Sequence, residues 1–499
     1  MKEQESLAIQ RDQASQPPTG GRRRLLSRGV AYTLSVAGPK ALQLLTLPLF
    51  TLAMSAAEFG RMALAVAITL AAVPLLTTSV ETAVFRSWFR LADDEAERRR
   101  YLSTAAVGLL VLPSMLALLA LALALPYTTS SDKLPTTYLA LALFASAVLI
   151  SATVVPLGVL RAQDRLRDFM RVSLVGPTIS IPLTVVAVVG LDLGARGWLA
   201  ANLIGSLATL PVAACALREH WTRRLSRRHL RSLVAWIVPF VPHGIAHWTL
   251  AASDRVILAA YVSLTDLGVY NVGYQLALSL ALLYAALNNV FSTDYGRAIN
   301  DAVERSRLPR LVTYQVLVTA GLGLVVALLA PPAIAVLLPD QFEAAGKVVP
   351  WVALGYVFYG LYYVPMNRIV ILRGDVGRVW VPTSIAAVAN VGLNLAFVPS
   401  GGILAAAMST AGSYLVLLVV MSLYSKRYHP MPGGIEGRIL ALILGGLGAL
   451  YGFAVLTSPQ DPAFVLGWRL ACLVACCVAV MCLGRRVREW AAATRPRSS

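Results

Sequence analysis

Acidic residues, cysteines and long polar loops are all scarce in this chain, and each scarcity excludes a class of protein. Asp and Glu number 25 in 499 residues and charged residues make up 14%, against about 25% in soluble domains. Too little charge is left to clothe a water-soluble surface of this size. The five cysteines build neither a disulfide framework nor a zinc site. Cys472, Cys476, Cys477 and Cys482 crowd one apolar run, Cys215 is far away, and no His or acid joins them at ligand spacing. They read as small, soft packing residues. A phosphate-binding loop, a zinc motif and a nucleophile elbow are also missing, so neither catalysis nor a cofactor or metal is expected.

What the chain has is apolar length. Hydrophobic residues make up 57% and mean hydropathy is +0.68. Fourteen apolar runs centre near Leu44, Leu70, Leu116, Phe144, Val185, Ile204, Trp248, Leu280, Leu322, Val357, Ala389, Val416, Leu444 and Val474. Each is roughly 19 to 25 residues long, enough at about 1.5 Å per residue to cross a hydrocarbon core of about 30 Å. Of the 43 Lys and Arg residues, Lys40, Arg255, Arg368 and Arg469 sit inside runs and Arg61, Lys133, Arg196 and Lys347 in the odd-numbered gaps. All the others fall in the two tails and the even gaps. Basic residues stay on the cytoplasmic side, so both termini are expected there, in an inner (plasma) membrane. The net charge of +18 is divided among eight short segments, which speaks against nucleic-acid binding. The densest segment holds Arg218, Arg223, Arg224, Arg227, Arg228 and Arg231 with His220 and His229, and reads as a topology anchor on anionic membrane lipid.

Arg22, Arg23 and Arg24 before the first run imitate a secretory signal. That run outlasts a signal core, carries Lys40 between Pro39 and Pro48, and leads into further spans, so it is expected to remain as a helix. Residues 1–21 are polar with Pro17, Pro18, Gly20 and Gly21 and are expected to be a disordered cytoplasmic tail.

The gaps repeat. Ser55-Ala56-Ala57-Glu58-Phe59-Gly60 and Ser263-Leu264-Thr265-Asp266-Leu267-Gly268 share a pattern at an offset of 208. Gly197-Trp198-Leu199-Ala200-Ala201 is matched by Gly402-Ile403-Leu404-Ala405-Ala406, and Leu160-Arg161 by Leu372-Arg373, at similar offsets. Six helices separate the copies, so both enter the membrane in the same direction. The expected fold is an all-α membrane protein of 14 transmembrane helices: two parallel six-helix lobes (22–217 and 233–424), a basic linker (218–232), two C-terminal helices (425–484) and a basic tail (485–499). Parallel repeats of this kind characterise alternating-access transporters, with the substrate site where the lobes meet.

Glu58-Phe59-Gly60, then Glu81-Thr82-Ala83-Val84-Phe85-Arg86, and Asp254-Arg255 followed by Asp266-Leu267-Gly268-Val269-Tyr270 resemble the oligosaccharidyl-lipid flippases. These form the polysaccharide-biosynthesis branch of the superfamily that also holds the multidrug and toxin extrusion transporters. The resemblance runs from about residue 22 to 484. It implies movement of a polyprenyl-diphosphate-linked oligosaccharide to the outer leaflet for O-antigen, capsule or exopolysaccharide, alongside polymerase and glycosyltransferases of the same pathway. A drug or small-metabolite cation antiporter of the related branch is the runner-up, disfavoured by fourteen spans and few intramembrane carboxylates. A membrane glycosyltransferase or polymerase is a third reading; outward gaps of about ten residues leave it little room for a catalytic loop.

Ionisable residues inside spans are costly and usually face a cavity. Candidate substrate-contacting residues are therefore Lys40 near mid-membrane, Glu81 near the inner end of the second run, Arg368 near that of the tenth, and Asp254 and Arg255 in the seventh. Glu81 has an alternative reading as a partner of Arg86, and Arg368 and Arg469 as interfacial or snorkelling groups. Trp236, His243, His247 and Asp254 are spaced 7, 4 and 7, within about 40° of one helical face. Pro239 and Pro242 interrupt the same run. His243 and His247 lack a third metal ligand. The stripe stands either as packed polar contact between lobes or as cavity lining.

Overall fold

Helices 1.5 Å per residue long on one side and a bilayer on the other leave few ways to satisfy backbone polar groups, and this chain uses helices throughout. The computed structural model describes residues 38–39, 41–70, 73–130, 133–375, 379–428, 437–457 and 464–475, and among them the regular structure is all helical. In chain order the helices are α1 (Leu47–Ala53), α2 (Ala56–Thr69), α3 (Val73–Arg90), α4 (Glu95–Ser130), α5 (Thr136–Ala162), α6 (Leu166–Val185) and α7 (Gly194–Leu217). They continue as α8 (Arg227–Ile237), α9 (Val241–Tyr261), α10 (Leu264–Arg297), α11 (Ala302–Leu337), α12 (Ala345–Asn367), α13 (Trp380–Tyr428), α14 (Gly437–Leu456) and α15 (Phe464–Ala475).

Among the described residues, nine helical stretches are long and apolar enough to cross a membrane. The chain is thus a multi-pass membrane protein. The longest of them, α13, covers two expected runs: its backbone breaks at Gly402, where φ is 55° and ψ −138°, a conformation L side chains avoid. The runs near Leu44, Leu70, Leu444 and Val474 hold α1, α2 with α3, α14 and α15, which are not among the nine. The expected tails, 1–21 and 485–499, lie outside the described residues, as does Lys40.

Prolines inside the long helices remove N–H donors and strand carbonyls four residues earlier. Two such carbonyls are answered from another helix. Pro113 leaves the Leu109 carbonyl, and Ser151 Oγ donates to it over 2.6 Å. Pro332 leaves the Leu328 carbonyl, and Arg469 Nη1 donates to it over 3.1 Å. Pro239 and Pro242 fall at a helix boundary, in the 3-10 turn Val238–Phe240 and at the first turn of α9.

The basic linker is docked as well as charged. The Thr222 and Ser226 N–H groups donate to Ser103 Oγ and Thr104 Oγ1 of α4, over 2.9 and 3.1 Å. His229 Nε2 lies 2.9 Å from Glu97 Oε1. Its arginines remain outward on α8 while Leu233 and Ile237 are buried.

α2 and α10 cross backbone to backbone. Ser55 and Ser263 cap them, accepting from the Glu58 and Asp266 N–H groups over 3.2 and 3.1 Å. One turn on, a Cβ added to Gly60 would run into the Leu264 carbonyl, and one added to Gly268 into the Ala56 carbonyl. The contact is reciprocal at the 208-residue offset, since 56 pairs with 264 and 60 with 268. Two side chains that flank the crossing, at positions 133 and 341, stand at that offset. Lys133 Nζ donates to the Ala259 and Val262 carbonyls over 2.7 and 3.3 Å, while Gln341 Oε1 accepts from the Ala56 N–H over 3.0 Å. Phe59 and Phe342 meet edge to face at 5.4 Å beside the crossing.

Candidate functional site

Close contact at one level of a helix pair leaves room at another. α6 and α7 touch at Gly176 and Gly205, where a Cβ on Gly205 would sit 2.7 Å from the Gly176 carbonyl. Beyond that contact, α6 carries Ser180 and Thr184, and α7 carries Asn202 and Trp198. Pro177 and Pro182 interrupt the α6 ladder there, and a π turn, Val186–Gly190, follows. A cavity of about 110 Å³ opens between these residues and Gln43, Thr46 and Phe50 of the first span. A smaller space sharing Gln43, Phe50 and Trp198 reaches Gln275 of α10. Gln275 lines only this second space, of about 10 Å³, and not the larger cavity.

The described lining of the larger cavity mixes apolar Pro39, Phe50, Pro177, Ile181 and Trp198 with polar but uncharged side chains. Thr46 and Thr184 turn their hydroxyls onto the Gln43 and Ser180 carbonyls over 2.9 and 2.7 Å. Asn202 Nδ2 donates to the Trp198 carbonyl over 2.8 Å, leaving its Oδ1 open. The side-chain polar atoms of Gln43, Ser180, Trp198 and Gln275 have no partner among the described residues. Uncommitted donors and acceptors in a membrane-embedded space are costly unless water or a ligand meets them.

None of the described charged candidates lines this cavity. Glu81 lies 3.1 Å from Arg161 Nη1; its partner comes from α5 and not from Arg86. Arg86 instead stacks over Trp236 at 5.0 Å. Asp254 and Arg255 do come together, buried at 1% and 7% exposure. Arg255 Nη1 is 3.0 Å from Asp254 Oδ1 and 2.9 Å from the Ala251 carbonyl. Tyr270 donates its hydroxyl to Asp254 Oδ2, and the guanidinium lies 3.9 Å over the Tyr274 ring. Arg255 Nε donates to Asn271 Oδ1 over 3.3 Å, so both Asp254 oxygens and two guanidinium nitrogens are engaged. Tyr356 and Tyr414 extend the same aromatic block.

His243 and His247 occupy successive turns of α9, with His247 exposed. Among the described residues no cluster of three or more His, Cys, Asp or Glu could hold a metal. Neighbouring Trp248 crosses to the other repeat, donating Nε1 to the Ala67 carbonyl over 2.8 Å. Arg368 begins the π turn Arg368–Leu372, half-buried near Tyr295.

Sequence reasoning passed over Gln43, Ser180, Trp198, Asn202 and Gln275 because it sought charge. It also passed over the role of Glu58, whose Oε2 accepts from the Ala195 N–H over 2.5 Å and whose Oε1 accepts from the Tyr138 hydroxyl over 3.2 Å.

The model of a family described as polysaccharide biosynthesis protein matches residues 52–347, from α1 into α12. Among solved structures, the lipid II flippase MurJ in an inward closed conformation is similar with a TM-score of 0.68 at 14% identity, covering 92% of this chain and 99% of that one. An inward-facing multidrug resistance MATE family transporter of the MOP superfamily is similar at 0.57 and 15%, covering 80% and 93%. A Vibrio cholerae MATE transporter, VcmN, is similar at 0.54 and 11%, covering 81% and 96%. At such identities the likeness concerns the fold. No curated protein sequence matches the chain.

Proposed function

This chain belongs to the polysaccharide biosynthesis protein family, and from that premise we propose that it carries a polyprenyl-diphosphate-linked oligosaccharide across the membrane. It acts by alternating access between two six-helix lobes, within a fourteen-span chain whose termini are cytoplasmic. One observation supports this reading above the others: a cavity among the membrane-spanning helices, lined in part by polar side chains left uncommitted. A glycan costs too much to drag through hydrocarbon, and such a space replaces part of its water. The similar MurJ structure is named as a lipid II flippase, a cargo of the same chemical class.

The reciprocal crossing at Gly60 and Gly268, with Lys133 and Gln341 as matching ties, fits a closed outer end at which the lobes meet. The Asp254–Arg255 pair holds α9 against α10 and the tyrosine block and does not touch cargo. Lys40 remains the candidate for the diphosphate. It stands three residues before Gln43, the spacing of neighbours on one helix face.

The chain moves its cargo and does not build it. Cells lacking it are expected to complete the lipid-linked glycan and accumulate it in the cytoplasmic leaflet. The measurement is the structure and sidedness of lipid-linked intermediates. Glycan missing a sugar or a linkage would replace this reading with an enzymatic one.

A further inference from the structure

We infer that the cavity between α6, α7 and the first span is a subsite for one uncharged sugar ring of the cargo, separate from the place of its diphosphate. The inference rests on the proposed transport function and deepens it by naming what this cavity recognises.

Three observations carry it. The first is charge: among the described residues that line the cavity none is Asp, Glu, Lys, Arg or His. An anion seated among these side chains loses hydration without gaining a cation, which disfavours a uronic acid and leaves the diphosphate to the Lys40 proposed for it. The second is the kind of polar group available. Gln43 offers an amide that both donates and accepts, Ser180 a hydroxyl, Asn202 a free Oδ1 and Trp198 an indole N–H. Vicinal ring hydroxyls also donate and accept, so each can meet this set without leaving a group unpaired. The third is shape. The Trp198 indole and Phe50 supply flat apolar walls for the C–H face of a pyranose. The cavity's volume of about 110 Å³ holds a single ring, far below the roughly 300–1,000 Å³ of sites that enclose larger ligands.

The position gives the subsite a task. Ser180 lies on α6, Trp198 and Asn202 on α7, and Gln43 on the first span. A ring that bonds to all three ties the first span to α6 and α7. Specificity then comes from hydroxyl pairing, where a missing partner costs more than a poor apolar fit.

The test uses the full chain in detergent and native mass spectrometry with five probes. These are polyprenyl diphosphate alone, and the same lipid carrying glucose, galactose, N-acetylglucosamine or glucuronic acid. The wild-type protein should bind at least one neutral glycosylated probe about tenfold more tightly than the bare lipid diphosphate, and the glucuronic acid probe no more tightly than the bare lipid. Trp198→Ala and Asn202→Leu should erase that gain while binding the bare lipid as wild type does. That retained binding also reports that the variants are folded. Trp198→Phe, which keeps an aromatic wall, should retain part of the gain. Equal binding of bare and all neutral probes by wild type, or a gain that survives both Trp198→Ala and Asn202→Leu, overturns the subsite and leaves the transport reading standing. Failure to bind any of the five probes overturns both.

Discussion

Glu58 holds three helices at one end, because its two carboxylate oxygens accept from the Ala195 N–H and the Tyr138 hydroxyl while Arg61 stands 3.5 Å away. An amide in its place would turn one donor toward another donor. Glu58→Gln is expected to destabilise the fold by about 1.5–3 kcal/mol, the worth of a charge-assisted hydrogen bond, read as a lower unfolding temperature of the purified protein. The Asp254–Arg255 pair makes a sharper case. Removing one buried partner leaves the other charge stranded, at a cost of about 3–5 kcal/mol. Asp254→Ala should therefore lower membrane abundance severely. A double variant, Asp254→Ala with Arg255→Met, should recover abundance and also transport if the pair is structural. Recovery of abundance without transport would return both residues to the cargo site. Lys40 is argued from the sequence alone: Lys40→Arg should keep part of the export and Lys40→Ala abolish it at normal protein level. Full export by Lys40→Ala would remove it from the site.

α2 and α10 approach so closely that only hydrogen fits between them at Gly60 and Gly268. Overpacking costs roughly 1–3 kcal/mol even where side chains give way, and here the obstacle on each side is a backbone carbonyl. Gly268→Leu should abolish export, whereas Gly296→Ala at the other end of the same helix, with nothing within 4 Å, should leave it unchanged. Surface polysaccharide measured against protein level separates the two. The repeat itself was legible: Ser55 with Glu58 and Ser263 with Asp266 are capping signatures at one offset. That Gly60 and Gly268 would meet each other was not legible. Each reads locally as a helix glycine, and the contact depends on how two distant helices cross.

The distribution of Lys and Arg predicts how the whole chain is oriented. A cysteine placed at Thr129 should be labelled by an impermeant reagent in intact cells, and one at Ser226 should not, in a background with the exposed Cys215 removed. The reverse result would invert the topology and every assignment of inner and outer ends. At this scale the sequence alone determined the membrane environment and the helical class. A hydrocarbon core of about 30 Å admits helices of one length range and sorts Lys and Arg to one side, and both rules act on local composition. The tertiary structure decided which polar groups are spent and which are open. Glu81 meets Arg161 across 80 residues, Lys133 meets Ala259 across 126 and Gln341 meets Ala56 across 285. Gln43, Ser180, Trp198 and Asn202 are left facing one cavity. Pairing at such separations depends on how distant helices cross and in what register, and no stretch of sequence by itself contains that geometry.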